Sequence, residues 1–136
     1  MASQSRQPAD LGCYASQERA VNYMPRVESM NPVANAPLGE QHTVILFDQI
    51  KSAGHVEYTF LIAVFDNTSE QPVYFVASEV NSTAQTRGGG SHYLGVFDGN
   101  GHSNLGSSDD WGDPKKFFPE AIRIAAEAFG VDLSET

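Results

Sequence analysis

Four hydrophobic runs of β type lie between His42 and Phe97, and a single run of helical type follows from about Pro114 to Phe129. In a chain of 136 residues, enough for one core, that order predicts an α+β fold. The expected form is a four-stranded antiparallel meander sheet with a C-terminal helix packed on one face. Binders, inhibitors and enzymes all use such scaffolds, so function has to be argued from individual residues.

The first run, Thr43 to Ile50, is apolar on both faces in its middle, as an interior strand is. Lys51-Ser52-Ala53-Gly54 makes a compact turn. In the second run, His55 to Phe65, one face carries Val56, Tyr58, Phe60, Ile62 and Val64. The opposite face runs Glu57, Thr59, Leu61, Ala63, Phe65, so it starts polar and ends apolar. Something must therefore cover part of that second face, either the N-terminal arm or a second copy of the chain. Pro72 suits the start of a third strand, Val73 to Val80, and a polar loop from Asn81 to Ser91 contains Gly88-Gly89-Gly90. The fourth strand is His92 to Phe97, where Gly95 marks a bulge or a close backbone approach. Asp113 and Pro114 read as N-cap and first residue of the helix, although Pro119 invites a restart there. Phe118, Ile122, Ala125, Ala126 and Phe129 form its apolar stripe, and Gly130 suits its end. Residues 1–38, with Pro8, Pro25, Pro32 and Pro37, show no sustained period. They are expected to form a mostly irregular arm with a short helix over Ser16 to Met24, leaving 39–136 as the α+β domain.

Charge narrows the partners. Up to Leu38 three acids balance three bases, and from Gly39 onward there are 14 acids against five bases, so the whole net charge of −9 falls on the domain. Such a surface repels phosphate backbones, which argues against nucleic acid and anionic membranes and suits a basic protein or a cation. Cys13 is the only cysteine, which excludes an internal disulfide. The first residues lack the apolar stretch of a secretory signal and no run is long enough to span a bilayer, so a soluble, cytoplasmic protein is expected.

The richest chemistry lies between Asp98 and Asp113, which holds four aspartates, two asparagines, four glycines and no lysine or arginine. Counted as a calcium loop from Asp98, it places Asn100, Asn104 and Asp109 at liganding positions, but His102 and Ser103 stand where an acid and a glycine belong. Gly95-Val96-Phe97-Asp98-Gly99 resembles the strand-end segment of metal-dependent protein phosphatases of the 2C type. In that family the aspartate, Asp98 here, binds a metal. The likeness spans those five residues, the family's next His-Gly-Gly is Asn100-Gly101-His102, and the chain is far shorter than that fold, so no membership is inferred. Gly101 to Gly106 misses a nucleophile elbow by one residue, and the glycine triplet lacks the lysine of a phosphate loop. Trp111 is either a lid packing this loop onto the core or an exposed anchor for a partner.

These residues lead first to a non-catalytic acidic protein-binding module, of inhibitor or immunity type. It would contact a basic partner through Asp98, Asp109, Asp110, Trp111 and Asp113. The second reading is a divalent-cation or metal-assisted hydrolytic site built from Asp98, Asn100, Asn104 and Asp109. The third is a structural subunit of a homo-oligomer, at its simplest a dimer.

Overall fold

The computed structural model describes residues 24–82 and 89–133. Six strands form one sheet: β1 (Val27–Leu38), β2 (His42–Ser52), β3 (Tyr58–Asp66), β4 (Pro72–Val80), β5 (His92–Phe97) and β6 (His102–Ser108). Each pairs antiparallel with its neighbour in sequence, so the order across the sheet is the order along the chain. A 3-10 turn, Asp109–Gly112, leads into the single helix of the described residues, α1 (Pro114–Ala128).

The class and the meander are as the sequence predicts, but the sheet has six strands rather than four. Val27–Leu38 lies inside the segment read as an irregular arm, and His102–Ser108 inside the segment read as a loop. Both are edge strands. An edge strand has one backbone side without a ladder and few buried side chains, so no alternation of period two betrays it. β1 accommodates Pro32 and Pro37 because an edge can lose amide donors on its open side, and its register against β2 shifts at three places. The expected helix over Ser16 to Met24, Cys13 and Gly88 lie outside the described residues, apart from Met24.

Both faces of the sheet are buried. On the helix side Val44, Ile62, Val64, Tyr74, Val76, Leu94 and Val96 meet Phe117, Ala121, Ile124 and Ala125 of α1. The helix stripe is thus centred on Phe117, one position before the stripe expected from Phe118, while Phe118, Ile122 and Phe129 flank it half-buried. Burying one such phenylalanine stabilises by about 1.5–3 kcal/mol. Pro119 does not interrupt α1: it sits exposed near the start and costs one backbone bond. On the other side Phe47, Leu61, Ala63, Phe75, Ala77 and Phe97 form a second cluster, joined by Val27 and Met30 of β1 and by Met24. Leu61 and Ala63 are fully buried there, as the apolar second face of the β3 pattern requires. An irregularity between Tyr58 and Phe60 moves Tyr58 to this second cluster while Phe60 stays on the helix side. Among the described residues no helix is long and apolar enough to cross a membrane.

Candidate functional site

The segment from Asp98 to Asp113 is the β5–β6 hairpin with the turn that follows it. At the tip, Asp98 Oδ1 accepts from the backbone N–H groups of Asn100 and Gly101 at 2.9 and 3.1 Å, and Gly99 supplies a φ of +88°. The register is unbroken where His102, Ser103 and Asn104 pair with Phe97, Val96 and Gly95. Beyond Asn104 two residues, Leu105 and Gly106, oppose Leu94 alone, which is a β-bulge. Gly106 takes a φ of +112°, and Asn104 Oδ1 accepts its N–H at 2.9 Å. Leu105 is 55 % exposed, the most exposed large apolar side chain among the described residues.

A hydrogen-bonded pair of a buried glutamate and an exposed histidine roots the tip end of β6. Glu79 of β4 is only 5 % exposed, and its Oε2 lies 2.7 Å from Nε2 of His102. The pair lies over Gly95 of the intervening strand: a Cβ there would sit 1.9 Å from Glu79 Oε2 and 3.0 Å from His102 Nε2. The histidine ring stacks on Phe97 with centroids 4.4 Å apart. Burial pushes the Glu79 carboxyl above its ordinary value, and His102 pulls it partly back. Tyr58, opposite Glu79 on β3, is pushed up to about 12 by burial and then by the Glu79 charge.

The far end of β6 is tied by oxygen acceptors. Ser107 Oγ accepts from Gly90 N–H at 3.0 Å, and Asp109 Oδ1 accepts from Ser91 N–H at 2.8 Å. Ser108 caps the 3-10 turn through Asp110 N–H, and Asp113 caps α1 through Lys115 N–H. Asp110 lies 3.4 Å from Lys116 Nζ. Beside the turn, the His92 ring nitrogens meet Ser91 Oγ at 2.7 Å and Thr59 Oγ1 at 2.9 Å, and burial lowers the histidine's pKa against the pull of Asp109. Both nitrogens being taken, this imidazole reads as a structural post.

The structure therefore splits the predicted residues into two groups. Asp98 and Asn100 occupy one end of β6; Asp109, Asp110, Trp111 and Asp113 occupy the other. Seven extended residues separate them, a span of roughly 20 Å, so Asp98, Asn100, Asn104 and Asp109 do not converge on one cation as the loop counting suggested. Nor do the described residues hold any group of three His, Cys, Asp or Glu side chains that could bind a metal. Trp111 is half-buried against the helix-side cluster, the packing that the lid reading requires, and its carbonyl accepts the hydroxyl of buried Ser78. A cleft of about 450 Å³, lined by Ile50, Lys51, Ser52, Gly54, Glu57 and Tyr58 among others, contains none of the predicted residues. The Glu79–His102 pair was not foreseen. Its one signal was an acid in phase with Phe75 and Ala77, on a face that otherwise reads as core. Compared with known proteins, the chain matches no protein family, no curated protein and no solved structure.

Proposed function

We propose that this is a non-catalytic protein-binding domain whose partner is basic and whose contact surface is the β5–β6 hairpin. The observation that carries the reading is the charge on that hairpin. Exposed Asp98 stands at one end and exposed Asp109 and Asp110 at the other, with no lysine or arginine between Asp98 and Asp113. Aspartates at both ends of the hairpin, one of them (Asp110) shared with Lys116, steer a cationic surface and repel an anionic one, which sets association rate and partner choice more than it sets affinity. The net charge of −9 adds a long-range field of the same sign.

A second copy of the chain is a poorer occupant. Two β6 edges paired antiparallel would bring the Asp98 end of one chain against the Asp109 end of the other, and like charges so placed are unfavourable. The reading is tested by immobilising the protein, passing over it extract from its own cells, and repeating this with Asp98→Asn, Asp109→Asn and Asp110→Asn combined. Basic proteins that are retained at low salt, released as salt rises and lost with the triple variant support it. Retention indifferent to both salt and variant sinks it.

A further inference from the structure

We infer that β6 is a docking edge, on which an extended segment of a basic partner adds as a seventh strand. This rests on the protein-binding reading and specifies its mode. A sheet of six strands has two edges, and the two are guarded differently. β1 carries Pro32 and Pro37 and shifts register three times, which are devices that prevent another chain from pairing. β6 contains no proline and no charged aspartate, glutamate, lysine or arginine between His102 and Ser108. Within the strand itself the one guard is the bulge at Leu105 and Gly106, which leaves His102, Ser103 and Asn104 in unbroken register with β5. The first five residues of β6 are exposed. An extended strand offers alternate N–H and C=O groups on its open side, and an incoming strand satisfies them with main-chain hydrogen bonds.

The partner's chemistry follows from what surrounds the edge. The acidic ends stand roughly 20 Å apart, which matches an extended stretch of about six residues with cationic side chains at both ends. Between them the edge presents Leu105, a leucine with no partner cluster at its position, so the middle of the segment is apolar or β-branched. The strand is held in place for such a role. Glu79 and His102 fix it at one end, and Gly90–Ser107 and Ser91–Asp109 at the other, so binding requires little ordering of the edge itself.

The test uses the full chain and a short synthetic peptide with paired lysines at each end and alternating valine and threonine between them. Three controls accompany it: the same peptide N-methylated at alternate backbone amides, the same peptide with glutamates for lysines, and the protein alone at rising concentration. Strand addition predicts that the lysine peptide slows amide exchange at His102, Ser103 or Asn104, and that N-methylation weakens binding about tenfold or more, the worth of two or three lost hydrogen bonds. It also predicts that Leu105→Asp weakens binding while Val33→Asp, on the opposite edge, does not. Equal binding of the parent and N-methylated peptides, with no protection on β6, overturns strand addition but leaves the charge-based reading standing. No binding of the lysine peptide, or equal binding of the glutamate peptide, overturns both. Protection of β6 that grows with protein concentration in the absence of peptide assigns the edge to a second copy and overturns the proposal.

Discussion

Gly95 is the residue on which the candidate site turns. It was legible in the sequence as a place of close approach, but what approaches was not, because Glu79 and His102 are 23 positions apart and share no motif. A methyl group at Gly95 would collide with the Glu79 carboxylate at 1.9 Å. Gly95→Ala should therefore destabilise the fold by about 1–3 kcal/mol, the usual range for overpacking a filled site. The same substitution should cost less in a Glu79→Ala background, where the colliding group is gone; denaturant midpoints of the four proteins give that coupling. Glu79 also carries a pH signature. Its carboxyl is raised above its ordinary 4.5, so the folded protein holds this proton at pH values where the unfolded chain has released it. The stability it contributes is full below pH 4.5 and is lost as pH rises through the raised value. Asp66 and Glu120, both lowered, act in the opposite sense. The difference between wild type and Glu79→Gln isolates the Glu79 share: unfolding free energies measured across the acid range should fall more steeply with pH in the wild type.

Among the elements, the four interior strands were legible because burial imposes a period of two on β3 and β4 and an apolar run on β2. Their ends were less so: β2 runs on through Lys51 and Ser52, read as turn, and β3 starts at Tyr58 rather than His55, leaving Val56 outside the strand and exposed. β5 was read with its bounds unchanged. The two edges were not, and for different reasons. β1 is exposed over most of its length and carries two prolines, and its apolar residues follow no period of two. β6 has Leu105 as its one aliphatic residue, so only its pairing with β5 makes it a strand. The helix start was legible from Asp113 and Pro114, and it gives Asp113 two separable roles. As N-cap it accepts the Lys115 N–H at 3.0 Å; as a carboxylate it adds to the acidic end of the hairpin. Asp113→Asn keeps the cap and removes the charge, so thermal unfolding should be unchanged while salt-sensitive binding of a basic probe weakens. Asp113→Ala removes both and should cost about 1 kcal/mol of stability as well. A loss of stability of that size in the asparagine variant would contradict the assignment.

At the scale of the whole molecule, acidity guards an edge that the side chains of β6 leave open. Neutralising that guard should show it. Asp98→Asn, Asp109→Asn and Asp110→Asn together should give a protein whose mass by light scattering rises with concentration at low salt, while the wild type stays monomeric under the same conditions. The meander has a further consequence, in the order of events during synthesis. Every strand pairs with the one just made, so the sheet can zip up as the chain emerges. The helix, however, follows all six strands. Until Phe117, Ala121 and Ile124 have been added, the nascent protein displays Val44, Ile62, Val64, Val76, Leu94 and Val96 as a bare apolar face. The stretch most exposed to aggregation, and most in need of a chaperone, is thus the interval between finishing β6 and docking α1.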